Sequence, residues 1–267
     1  MPLDTSSYYP ELPDDEKEGT SLNKRGIGLF KETSSPDVEI IVEEKPVAPH
    51  KKQGNEEEES PEEKIVTLIS HFLSWVLVPL LMPVYGLILA FGLSVLDVVQ
   101  STMKLRFILI VAGINFVIPV LLVLLMKFLG MIDDVGLNGR KERLIPYLIS
   151  MLCFGATAWF MADRGAPMWL IMFYAGGAVA AIINLLVNFK WKISAHAAGI
   201  AGVVALLIRM ERDVAAAPEL FVWLLIVVGL AGLMGSARIW LGRHTAWQVL
   251  AGYLVGFCSV FFMMYIQ

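Results

Sequence analysis

Two histidines and an arginine stand where apolar sequence leaves little room for charge. His196 begins a stretch of small residues, Arg238 lies inside the apolar run Val222–Leu241, and His244 follows shortly after it. Ionisable groups at membrane depth are expensive in lipid and usually face a polar cavity. Taken singly, Arg238 could snorkel to the interface and His196 could be a hydrogen-bonded packing residue. Taken with the cations of nearby polar turns, Arg140, Lys141, Arg143, Lys190, Lys192 and Arg243, they form a set suited to a phosphate ester. Guanidinium forks match phosphate oxygens bidentately and neutralise charge spread in the transition state. One imidazole can attack phosphorus while the other protonates the leaving oxygen. A helix opening near Ser194 adds backbone N–H donors to an anion site.

The elements that must position these groups are membrane helices. The chain has 267 residues, 57% hydrophobic and only 17% charged, whereas charged residues make up about a quarter of an ordinary soluble domain. Charge is also split: residues 1–64 hold eight Lys+Arg against seventeen Asp+Glu, leaving thirteen and eight for residues 65–267. The first segment is rich in Pro, Ser, Glu and Lys and poor in large apolar residues, so it reads as a disordered acidic tail. It lacks the basic start and apolar stretch of a cleavable signal, which leaves the first apolar helix to direct insertion. The membrane body's cations sit singly in short turns and form no stripe, which excludes a soluble nucleic-acid reader. Cys153 and Cys258 both lie in apolar runs, so no disulfide framework or CxxC metal site is expected.

From Ile65 onward, seven apolar runs alternate with short polar turns, at about 65–96, 105–129, 146–162, 168–188, 194–209, 219–241 and 245–266. Lengths near 17–25 residues suit membrane crossing, and β-barrel alternation is absent, so the fold class is all-α: a polytopic transmembrane bundle of six to seven helices. The first run contains Pro79 and Pro83 and is expected to begin at the interface and turn into the bilayer near Leu80. If each run crosses once, the turns at 130–145, 189–193 and 235–244 share one side with the tail. The turns at 97–104, 163–167 and 210–218 face the other. The tail side carries eight basic residues in or beside its turns (Lys127, Arg140, Lys141, Arg143, Lys190, Lys192, Arg238 and Arg243) against five opposite (Lys104, Arg106, Arg164, Arg209 and Arg212), which predicts a cytoplasmic site.

Other features read as structure. Small residues at Gly176–Gly177, Ala180–Ala181 and Gly199–Gly202 permit close helix packing. Asp163–Arg164 reads as a local solvated pair, His71 as interfacial, and Trp169, Trp191, Trp240 and Trp247 as interfacial anchors. No Walker loop, GxSxG elbow or HExxH motif is present.

Over about residues 130–260 the order and spacing of the polar residues resemble the type 2 phosphatidic acid phosphatases, membrane relatives of the vanadium haloperoxidases. That family reads Lys, six residues, Arg-Pro; then Pro-Ser-Gly-His; then Ser-Arg, five residues, His, three residues, Asp. Here the third motif stands as Ala237-Arg238, five residues, His244, three residues, Gln248, and the second as Ile193-Ser194-Ala195-His196. For the first, Arg143 with Pro146 nearby is the match, with Arg140 in place of the lysine, whose spacing Gly136 occupies. Pro-Leu-Leu-Met-Pro at 79–83 is similar to bacterial members of a divergent branch.

The resemblance implies a phosphatase without metal or cofactor, working through a phosphohistidine on a lipid phosphate or diphosphate, in a bacterial inner membrane. By carry-over His244 is the nucleophile, His196 the general acid, and Arg143 and Arg238 the phosphate clamp, with Arg140 and Ser194 assisting. The implied partners are membrane lipids and the lipid phosphate substrate, with no nucleic acid; no protein partner is indicated. Gln248 departs from the pattern: an amide four residues beyond His244 can accept its N–H but brings no charge. In serine proteases the acid-to-amide change costs about 10⁴ in rate. Glu142, Asp133 and Asp134, the acids that could substitute, read as solvated loop charges. A degenerate member that binds anionic head groups or serves as a scaffold is therefore the alternative, and a small transporter a third, disfavoured by the absence of an evident inverted repeat.

Overall fold

A computed structural model describes residues 60–131, 144–212 and 217–265. All of these fall within one compact unit, Glu44–Gln267, and the segment read as a tail lies outside them up to residue 59. The first helix begins inside the expected tail. Ser60 caps α1 (Pro61–Val76), its Oγ accepting from Glu63 N at 3.2 Å while Glu63 Oε2 accepts from Ser60 N at 3.0 Å. This reciprocal capping box, with Pro61 at the first helical position, sets the start.

The first run then breaks at Leu77–Leu81. Val78 is held extended before Pro79, a short 3-10 turn follows, and α2 (Met82–Leu93) starts with Pro83 in its first turn, as proline's missing N–H and fixed φ require. Next come α3 (Ser101–Ala112) and α4 (Ile118–Phe128), joined by a π-helical turn at Gly113–Val117. There Ile118 N–H reaches back to Gly113 O, a wider register than the α-helical one, placed just before Pro119. The bundle is completed by α5 (Leu144–Asp163), α6 (Met168–Asn188), α7 (Ala195–Met210), α8 (Leu220–Trp240) and α9 (Ala246–Tyr265).

Among the described residues, six apolar stretches are long enough to cross a membrane, namely the α1–α2 and α3–α4 stretches and α5, α6, α8 and α9. The seventh, α7, has only 16 residues, about 24 Å of helix. It is instead the buried centre. Ile200, Val203, Ala205, Leu206 and Leu207 are all 2% exposed or less, and α7 packs on α2, α6, α8 and α9. The outside is apolar too, with Leu121, Trp159, Leu186, Leu225, Leu254 and Phe262 exposed. Such a surface has lipid rather than water as its solvent, so this is an integral membrane helical bundle.

Close approach of α7 and α9 is what lets two histidines distant in sequence line one cavity. A Cβ on Gly256 would lie 2.0 Å from Ala198 O, and one on Gly252 would lie 2.5 Å from Ser194 O. Small residues at four-residue spacing thus allow backbone-to-backbone contact in a setting where lipid supplies no hydrophobic drive to associate. At the opposite end of the bundle Ala217 N donates to Leu93 O at 3.2 Å, and the Arg212 guanidinium lies 4.7 Å over the Tyr265 ring. Those contacts join the turns assigned to the side away from the histidines. Lys104 and Asp97 pair there at 2.7 Å.

Candidate active site

The end of α8 and the start of α9 form one continuous polar corner. Leu241 ends α8, Gly242 takes φ 62°, Gly242 N bonds Ile239 O at 2.9 Å, and Arg243 N bonds Arg238 O at 3.1 Å. This is the glycine-dependent helix stop in which the two residues past the cap satisfy the last carbonyls. His244 N also approaches Arg238 O, at 3.3 Å. The five residues between Arg238 and His244 are therefore the last helical turn plus its stop, which brings both side chains to one corner.

Thr245 opens α9 as a capping residue. Its Oγ1 accepts from Gln248 N at 3.4 Å, while Gln248 Oε1 accepts from Thr245 N at 3.3 Å and meets His244 Nδ1 at 3.1 Å. The backbone N–H of Thr245 can only donate, so the amide atom shared by these contacts is oxygen. His244 Nδ1 must then carry a proton, which in the neutral imidazole leaves the lone pair on Nε2. Gln248 is thus both helix cap and orienter of the imidazole, with His244 6% and Gln248 8% exposed.

His196 stands in the first turn of α7. Its Nε2 lies 3.2 Å from Ser74 O, and because a carbonyl only accepts, this nitrogen is a donor. Ser74 is in the last turn of α1, where carbonyls lack a donor within the helix. His196 satisfies one of them, and Tyr85 OH satisfies that of Val76 at 2.9 Å. Ser194 serves the scaffold. It is fully enclosed, its Oγ accepts from Ala197 N at 3.4 Å, and its N–H donates to Gln248 O at 3.2 Å. Ser194 Oγ caps α7, and Ser194 is not among the residues lining the cavity at this corner. Arg140 and Arg143 lie outside the described residues, as do Asp133, Asp134 and Glu142.

A cavity of about 1060 Å³ brings the corner together, with His196, Arg238, Arg243 and His244 at its polar end. The rest is largely apolar, built from Phe72, Trp75, Phe116, Val120, Val123 and Leu124 on α1 and the α3–α4 stretch. Such a space fits an amphiphile, with an anionic head at the cations and a hydrocarbon tail along the trough. Arg164, paired locally with Asp163 at 3.4 Å, is remote from it.

The sequence reading missed His71 and Ser74 as wall residues, and it counted Arg243 among the turn cations without giving it a role of its own. His71, read as interfacial, lines the pocket from α1. A signal did exist: His71 and Ser74 are polar residues three apart in an apolar helix, hence on one face.

The family model described as the PAP2 superfamily matches residues 188–267, the stretch that supplies His196, Arg238, His244 and Gln248. No curated protein and no solved structure matches the chain. Over the α7–α9 segment, residues 188–267, the chain is similar to the PAP2 superfamily.

Proposed function

We propose that the protein is a membrane-embedded phosphatase that hydrolyses a lipid phosphate or diphosphate through a phosphohistidine. The observation that carries this is a single cavity with imidazoles and guanidinium groups at one end and an apolar trough at the other. His244 Nε2, left with its lone pair by the Nδ1–Gln248 contact, attacks phosphorus. Arg238 and Arg243 neutralise the phosphoryl oxygens, and Arg143, with Arg140 beside it, is assigned to the same clamp on sequence alone. As an imidazolium, His196 keeps Nε2–H on Ser74 O, which assigns proton transfer to the leaving oxygen to Nδ1. The test is phosphate release from mixed lipid phosphates by purified protein in detergent, with chelator and no added divalent metal. Release supports the reading, and binding without release refutes it.

One observation favours the second reading, a binder of anionic head groups: the group behind His244 is a neutral amide. Gln248→Glu separates the two readings. Glutamate is nearly isosteric, keeps the capping geometry at a position where the helix N-terminus favours negative charge, and adds a carboxylate that stabilises the imidazolium. Turnover by the folded variant is expected to rise roughly five- to twelvefold, since a charged hydrogen bond exceeds a neutral one by about 1–1.5 kcal/mol. Unchanged turnover with unchanged stability would show that the missing charge does not limit the site.

The clamp has its own test. Arg238→Ala is expected to weaken lipid phosphate binding about ten- to hundredfold, from loss of roughly 1.5–3 kcal/mol of charged hydrogen bonding, whereas Arg164→Ala leaves it unchanged. Equal effects would contradict a pocket-specific role. The site end is proposed to face the cytoplasm of a bacterial inner membrane on the basic excess of its turns. A cysteine at the exposed Trp191 turn labelled only by membrane-permeant reagents fits this placement, and labelling by impermeant ones overturns it.

A further inference from the structure

A second, smaller cavity of about 70 Å³ adjoins the large one, sharing Pro79, Leu80, Tyr147, Ser150 and Ala195 as a common wall. It reaches inward to Asn115 on the π-helical turn and to Asn184 on α6. Both amides are nine-tenths buried or more, at 3% and 4% exposed. Asn115 Nδ2 donates to Val111 O at 3.2 Å and to Thr157 Oγ1 at 2.6 Å, and Thr157 passes its own proton to Cys153 O at 2.9 Å. Those donors are satisfied. Asn184 Oδ1 is different: it is buried and accepts from no donor among the described residues. Ser150 Oγ gives its proton to Pro146 O at 2.9 Å, so toward the cavity it offers lone pairs only.

This combination selects a ligand. A lone acceptor in an apolar, low-dielectric setting loses its hydration without replacement, so a donor must reach it. Asn184 Oδ1 and the Ser150 lone pairs disfavour an anion, and the described wall holds no Lys, Arg or His to bind one. The described wall has no carboxylate to offset the dehydration of a cation. Water fits: one molecule needs only about 10–15 Å³ of such space, so more than one can be seated in the cavity that Asn184 and Ser150 line. We propose that this cavity is a resident-water annex that supplies water to the histidine end of the large pocket across the wall formed by Tyr147, Ser150 and Ala195.

Its use rests on the phosphatase reading given above. In the second half-reaction the oxygen of an annex water bonds to phosphorus as the bond from phosphorus to His244 Nε2 breaks. The electron pair returns to the imidazole, and the water's proton passes to His196, neutral after protonating the first leaving group. Phosphate departs and both histidines regain their starting states.

The test is pulsed hydroxyl-radical labelling of the whole protein in detergent, read by mass spectrometry. Cys153 and Phe154, which line the annex, are expected to be labelled, whereas Met161, 1% exposed on the same helix but off the cavity wall, is not. Asn184→Leu, which fills the space and removes the acceptor, is expected to lower labelling of Cys153 and Phe154 to the Met161 level. Labelling of Cys153 and Phe154 no higher than Met161 in the parent protein would mean a dry cavity and end the proposal, whatever the variant does. In the kinetic arm Asn184→Leu is expected to lengthen the lifetime of the phosphoenzyme about tenfold with its formation rate preserved. An unchanged lifetime in a folded, unlabelled variant overturns the water-supply role. A wet annex in a parent that forms no phosphoenzyme would instead refute the phosphatase reading and leave the water site standing.

Discussion

Replacing His244 with alanine is expected to abolish phosphate release while leaving the bundle folded. Loss of a nucleophile costs roughly 10³–10⁶ in rate when the remaining groups act as a unit with it. The fold should survive because the contacts that build the corner are backbone ones. The Gly242 stop, the bond from Ser194 N to Gln248 O and the Thr245–Gln248 cap do not need the imidazole. His196→Ala should lose about 10²–10⁴, the usual contribution of a general acid, together with the contact to Ser74 O. Both are checked by initial rates and thermal unfolding on the same preparations. Two variants that hydrolyse substrate like the parent would dismiss the catalytic assignment and move the binding or scaffold role ahead.

The largest structural effect is expected at Gly256. A valine there would drive its Cβ to 2.0 Å from Ala198 O and 2.6 Å from Ala198 Cα. These are backbone atoms, which no rotamer change can move aside, so α9 must pull away from α7. Overpacking of this kind costs about 1–3 kcal/mol or more, an expected fall of roughly 5 °C or more in the unfolding midpoint for a bundle of this size. Activity should fall with it, because His196 and His244 are carried on those two helices. Gly232→Ala is the matched control: nothing lies within 4 Å of its added Cβ, so stability should hold or rise slightly with helix propensity. Equal tolerance of both substitutions in detergent unfolding would show that the α7–α9 contact is not what holds the site.

The helices were legible because hydrocarbon solvent forces long apolar runs, and the break in the first run because proline cannot continue a ladder. The Arg238-to-His244 interval was legible only through the family resemblance, and its physical reason is visible in the structure: a helix end, a left-handed glycine and a new cap consume a set number of residues. Less could be read where the partner is backbone. Nothing in residue type announces that Ser74 O holds His196, since any residue offers that carbonyl. The shortness of α7 also looked like an uncertain boundary rather than the mark of a buried centre. Thr245-x-x-Gln248 is a recognisable capping pattern, yet the glutamine was read only as a partner of His244, when one oxygen serves both. Asn115 and Thr157 lie 42 residues apart, and their pairing depends on how α5 packs on the π-helical turn, which local pattern does not encode.

The most direct measurement is to trap the intermediate. Folded parent protein is mixed with a lipid phosphate labelled at phosphorus, quenched under alkaline conditions that preserve phosphohistidine, digested and mapped. The expected result is acid-labile label on the peptide containing His244, present in parent and in His196→Ala when a good leaving group is used, and absent from His244→Ala. Label on another residue, or lipid phosphate turned over with no label at His244 under any quench, would contradict the assignment of this corner as the centre of the chemistry.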